Sequence, residues 1–328
     1  MKLSKPAWIA ALLLSAACAS DGDGGGNVTT DDMTTANTGS STSTSDGSTA
    51  TTTSMTTSTS TVDSTGDSTG DSTSTGPSMA ESSSSTGGEP SSAILSAFHG
   101  LATMPPTVVA FCNPTAIGLV GMPVTFSAQL NADTVVPDSF SVRTPEGDDA
   151  IPVCATLQPA DEELELRTVL LVGPFSTGED PPLRVDVTGP VETLDGEVLQ
   201  GAFTEDITPL GDGPSLVLAE PFAPDQQGLA GECPAMTSQV VQLAWQGGVT
   251  GPDGAALGED QRTGVHVTLE NGDVVEPIAL ADDDPDNYVH ACIEQTSPAV
   301  SVAVDADLFY DPADDPNPAT SAPVMPGA

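Results

Sequence analysis

Apolar and polar positions divide the chain into three stretches: a short apolar run near the start, a long polar tract, and a region of short alternating runs. In the third stretch Val124, Phe126, Ala128 and Leu130 alternate with Thr125, Ser127 and Gln129, which puts the first set on one face of a strand. Leu183, Val185 and Val187 alternate in the same way with Arg184, Asp186 and Thr188, and residues 164–172 do so less cleanly. Further along, residues 215–218, 240–245, 265–269, 288–293 and 300–304 read as strands. Turn signals stand between them at Pro145-Glu146-Gly147-Asp148, at Asp195-Gly196 and at Asn271-Gly272, the strongest hairpin signal of the chain. Pro277 makes the strand returning from that hairpin an edge strand. With 29 Pro and 32 Gly there is little room for long helices. The pattern predicts an all-β fold, an antiparallel β-sandwich with one face buried and one wet. The 236 residues from 93 to the end suffice for two in tandem, at 93–212 and 213–328.

Residues 18–92 are almost wholly Ser, Thr, Gly and Asp, with a short echo at Asp63-Ser64-Thr65-Gly66 and Asp67-Ser68-Thr69-Gly70. Such a tract has almost nothing to bury and cannot offset the entropy of ordering, so a disordered, low-complexity linker is expected there. As a flexible coil it would span on the order of 50 Å.

Residues 1–17 have the parts of a signal peptide: Lys2 and Lys5, an apolar run from Ala7 to Leu14, and the small residues Ser15, Ala16 and Ala17. The run is too short to span a bilayer as a mature helix, which takes about 20 residues. The end of this segment, with Cys18 directly after it, resembles a bacterial lipobox. That resemblance implies cleavage before Cys18 and a diacylglycerol on its sulfur, hence a lipoprotein anchored to the membrane. Ala19, where retention at the inner membrane would favour Asp, points to the cell outer membrane or the cell surface.

Charge narrows the partners. The formal net charge is −41, and since both lysines lie in the signal, four arginines face 47 carboxylates in the remainder. A surface this acidic repels phosphate backbones, which excludes nucleic acid. Cys112, Cys154, Cys233 and Cys292, in an exported chain, predict two disulfides. Of three connectivities the simplest is Cys112 with Cys154 and Cys233 with Cys292, each bond then staying inside one sandwich. Each loop so closed is worth about 4 kcal/mol. Asp282, Asp284, Asp286 and Asn287 offer oxygen ligands of the kind calcium takes, although Asn287 stands where an EF-hand needs glycine and Ile293 where it needs glutamate. A second acidic stretch contains Asp305, Asp307, Asp311, Asp314, Asp315 and Asn317. The alternative reading for both is a pair of solvated acidic turns, with no cofactor.

Val124-Thr125-Phe126-Ser127, Asn131-Ala132-Asp133-Thr134-Val135, Ser139-Phe140-Ser141-Val142 and Asp195-Gly196-Glu197-Val198-Leu199 together resemble a bacterial Ig-like domain of the S-layer-associated type, over about residues 105–212. The resemblance implies an Ig-like sandwich serving as a spacer or display module, without chemistry of its own. Nothing in the strand-forming region argues for catalysis: residues 93–328 contain no G-x-S-x-G, no S-x-x-K and no H-E-x-x-H, and the G-x-S-x-G string Gly66-Asp67-Ser68-Thr69-Gly70 is part of the low-complexity linker, without the strand and helix patterns such a motif needs. His99 has no sequence partner, His266 falls on a wet face, His290 shares a face with Cys292, and Trp245 reads as core. The expectation is a non-enzymatic envelope protein that binds a protein or glycan partner, or a calcium-stabilised spacer.

Overall fold

The computed structural model describes residues 93–101, 103, 104, 106, 111–176, 180–209, 211–281 and 286–325. The signal, Cys18 and the linker therefore lie outside the described residues, as do Asp282 and Asp284. Among the described residues no helix is long and apolar enough to cross a membrane.

The fold is all-β, built as two sandwiches. The first contains β1 (Ile94–Phe98), β2 (Val120–Phe126), β3 (Phe140–Arg143), β4 (Asp149–Ala150), β5 (Cys154–Thr156), β6 (Thr168–Gly173), β7 (Arg184–Val187), β8 (Phe203–Thr204) and β9 (Ile207–Thr208). One sheet runs β5-β6-β2-β1-β9 and the other β4-β3-β7-β8. All pairs are antiparallel except β1 with β9. Inward residues of alternate positions, Val120, Met122, Val124 and Phe126 from β2 and Phe140, Val142, Val185 and Val187 from the facing sheet, form one core.

The second contains β10 (Leu216–Phe222), β11 (Gln239–Trp245), β12 (Val265–Leu269), β13 (Val274–Val275), β14 (Ala279–Ala281), β15 (Tyr288–Ile293), β16 (Ala299–Val304) and β17 (Thr320–Pro323). Its sheets run β10-β11-β15-β14 and β13-β12-β16-β17. Asn271-Gly272 closes the β12–β13 hairpin, with Gly272 at φ 88°, and β13 is an edge strand as Pro277 led one to expect. Trp245 is fully buried here, its ring 4.6 Å from that of Phe309. Pro221 sits in β10, an edge strand, where a missing N–H is tolerated.

The expected wet face is absent from inner strands of two of the four sheets. β2, β6 and β15 are buried at every position. On β2 and β6 part of the outer face is covered by residues of the 101–119 segment: Met104, Leu101 and Leu119 pack with Cys154, Leu170 and Val172. The Cys112–Cys154 disulfide fastens that cover. The rest of the outer face meets the second sandwich. Val241, Leu243 and Trp245 of β11 point into their own core, while Ala244, with Leu218 and Tyr288, packs on Ala160 of the first sandwich. Two sequence readings change accordingly. Thr125, read as wet, is fully buried, and Leu183, read as inward, is 49% exposed because β7 begins only at Arg184.

Candidate functional site

The surface where the two sandwiches meet is lined by polar side chains, an arrangement that costs desolvation unless each group finds a partner. Arg167, in the turn before β6, donates from Nη2 to Glu220 Oε2 of β10 at 2.6 Å and from Nη1 to the Ser127 carbonyl at 2.5 Å. Both side chains of this ion pair are buried. Thr168 Oγ1 lies 3.2 Å from Thr125 Oγ1 and accepts from Asn287 Nδ2 at 2.9 Å. Asn287 Nδ2 also donates to the Trp245 carbonyl. Burial pushes the Tyr288 phenol well above its ordinary value, so it stays protonated beside Thr168, 3.5 Å away.

His290 and Glu165 are both buried and face each other across the same surface at 3.6 Å. The Ala230 carbonyl lies 2.8 Å from His290 Nδ1, so that nitrogen carries the proton and Nε2 accepts from Gln242 Nε2 at 3.0 Å. The same Gln242 amide reaches Glu165 Oε1 at 3.5 Å. Burial lowers the His290 pKa, with the Ala230 hydrogen bond opposing, and the imidazole is neutral near pH 7. Cys233–Cys292 fixes the loop that supplies Ala230 against β15.

Beside His290 three carboxylates converge: Glu162, Glu165 and Asp286 present oxygens that all lie within 4.8 Å of one another. Such a group has the hard-oxygen chemistry of a divalent-cation site. Of the two calcium candidates that lie among the described residues, Asp286 and Asn287, this arrangement contains Asp286. Asn287 is turned inward to hold Thr168, so its amide serves the junction, and these two residues form no solvated turn: Asp286 is 3% and Asn287 5% exposed. The second acidic stretch braces its own backbone. Asp311 Oδ1 accepts from Ala313 and Asp315, and Asn317 Oδ1 accepts from Leu308 and Phe309. His266 is bonded to Asp305 at 3.1 Å on a half-buried face, and His99 is fully buried at the end of β1.

Both predicted disulfides are present, in the predicted pairing. Glu162, Glu165, Arg167, Glu220 and Gln242 were not singled out from the sequence. A signal for three of them existed: Glu220 and Gln242 interrupt otherwise apolar strands, and Arg167 is one of only four arginines after the signal.

An open cleft of about 470 Å³ lies over the Arg167–Glu220 pair, between Leu95, Leu194 and Val217. Fold and site together define a two-sandwich β protein with a polar junction. No family model, curated protein or solved structure matches the chain.

Proposed function

We propose that this chain is a lipid-anchored envelope protein that holds a non-catalytic pair of Ig-like sandwiches away from the membrane and offers them for adhesion to a protein or glycan. The observation that carries the reading is the bonded junction, in which Arg167–Glu220 and Asn287–Thr168 join the two sandwiches beside an open cleft. A head joined in this way presents a binding surface of constant shape at the end of a long polar tether. Anchor and head have separate roles: the diacyl chain at Cys18, with the further acyl chain bacterial lipoproteins carry on the α-amine, supplies membrane affinity that the acidic body does not. The test uses intact cells. Externally added protease should release the head from wild type, and Cys18→Ser should move the whole protein into the soluble fraction. Membrane retention of Cys18→Ser, or full protection from protease, overturns the reading.

A second reading, a calcium-stabilised spacer, is favoured by the Glu162–Glu165–Asp286 group. A cation bound only by the folded chain raises its melting temperature. The full-length protein should then melt higher in calcium than in EDTA, and Glu162→Gln should remove the difference; identical melting in the two buffers sinks this reading.

A further inference from the structure

The cleft at the junction combines three features. Its mouth gathers Leu95, Leu194 and Met325, large apolar side chains that are 39%, 57% and 47% exposed. Single exposed apolar residues are ordinary, but a cluster around a concavity marks a binding surface. Its volume, about 470 Å³, is that of a pocket for a small ligand or for two or three apolar side chains. Its floor carries no net charge, since Arg167 and Glu220 are paired there.

Charge decides what kind of group fits. Every arginine after the signal is engaged by carboxylates: Arg143 by Asp149, Arg167 by Glu220, Arg184 by Asp186 and Glu205, Arg262 by Glu259 and Glu276. No lysine occurs after Lys5. The cleft therefore has no basic group to offer an anion. Asp195, by contrast, is exposed on its rim beside Leu194 and has no ion-pair partner among the described residues. The field of a body this acidic adds to that preference and draws cations toward the mouth.

We propose that the cleft binds a basic, apolar peptide segment of a partner protein, with one or two large apolar side chains in the cleft and a Lys or Arg against Asp195. This deepens the display reading and rests on it, naming the partner chemistry. The experiment titrates the full-length protein with three short capped peptides: lysines flanking Leu-Phe, glutamates flanking Leu-Phe, and lysines flanking Ser-Ser. The first should bind at least about tenfold tighter than either control, a difference of about 1.4 kcal/mol. Added salt should weaken its binding. Leu194→Lys, at an exposed position, should weaken the first peptide about tenfold and leave the melting temperature unchanged. Asp195→Asn should weaken it less. Equal binding of the acidic peptide, or binding indifferent to Leu194→Lys, overturns the proposal. So does tight binding of octyltrimethylammonium with no peptide bound, which makes the occupant a small amphiphile. Self-association blocked by Leu194→Lys makes it a second copy and has the same effect. If none of the peptides binds while cell-surface protease still releases the head, the ligand class fails and the display reading stands.

Discussion

Arg167 Nη2 and Glu220 Oε2 lie 2.6 Å apart across the boundary between the two sandwiches, with both side chains almost wholly out of water. A buried pair of this kind contributes little net stability compared with well-packed apolar residues, but removing one partner strands the other. Arg167→Met should cost about 3–5 kcal/mol, and the Arg167→Met/Glu220→Met double variant should recover most of it. Urea midpoints of the two single variants and the double variant decide the matter. A double variant as unstable as the singles would mean that the charge pair is not the source of the loss.

The junction makes stability fall with acid. His290, held below its ordinary pKa of 6.5 by burial, binds fewer protons in the folded chain than in the unfolded chain. Its contribution is complete above pH 6.5 and is lost as pH falls from there toward the lower folded value. His99, lowered by burial, acts with the same sign. Asp311 acts oppositely, since burial raises its pKa above 3.8 and acidification through that range favours its folded form. Urea midpoints measured from pH 7.5 down to about pH 5 should decline, and the decline should shrink in His290→Gln. A flat profile for wild type would contradict the buried neutral imidazole.

Reduction should act on each sandwich separately. Cys112–Cys154 and Cys233–Cys292 span 42 and 59 residues and neither crosses between the sandwiches. Each is worth about 4 kcal/mol by loop closure. Cys112→Ser/Cys154→Ser should lower the melting of the first sandwich and loosen its 101–119 cover. Cys233→Ser/Cys292→Ser should instead release the loop bearing Ala230, and hydrogen exchange should speed up around β15. Exchange changes spread evenly over both sandwiches would refute this assignment.

Gly213 stands against the 316–317 backbone so closely that a Cβ there would fall 1.8 Å from the Pro316 carbonyl oxygen. Backbone cannot swing aside as a flexible side chain can, so Gly213→Ala should cost about 1–3 kcal/mol as overpacking. Gly211→Ala, two residues earlier and in open space, is the control and should melt like wild type.

The strands legible in the sequence were those whose alternation reports a single buried face. Val265–Leu269 stands where the pattern put it, Tyr288–Ile293 also does although it is buried on both faces, and the Asn271-Gly272 hairpin follows from local turn geometry alone. Short strands such as β9, and β17 with its sequence Thr-Ser-Ala-Pro, gave no such signal. The helix Glu259–Thr263 is a single turn, too short for a 3.6-residue period to show. Alternation also misled where a third layer is involved, because a residue facing a neighbouring sandwich is polar like one facing water. Thr125 reads as a solvent position for that reason and is buried in a hydrogen-bonded junction, as is Gln242.

What the sequence by itself determined is therefore local and periodic. It gave the β class, the turns, the acidic balance and a disulfide pairing that needed only the assumption of two separate sandwiches. What the tertiary structure decided is which distant polar residues meet. Glu165 and His290, or Arg167 and Glu220, are brought together by the packing of two sheet faces, and no spacing along the chain encodes that. The same packing moves Asn287 from a calcium-type loop into a hydrogen bond with Thr168, 119 residues away. A buried amide must find a partner, and the nearest one belongs to the other sandwich.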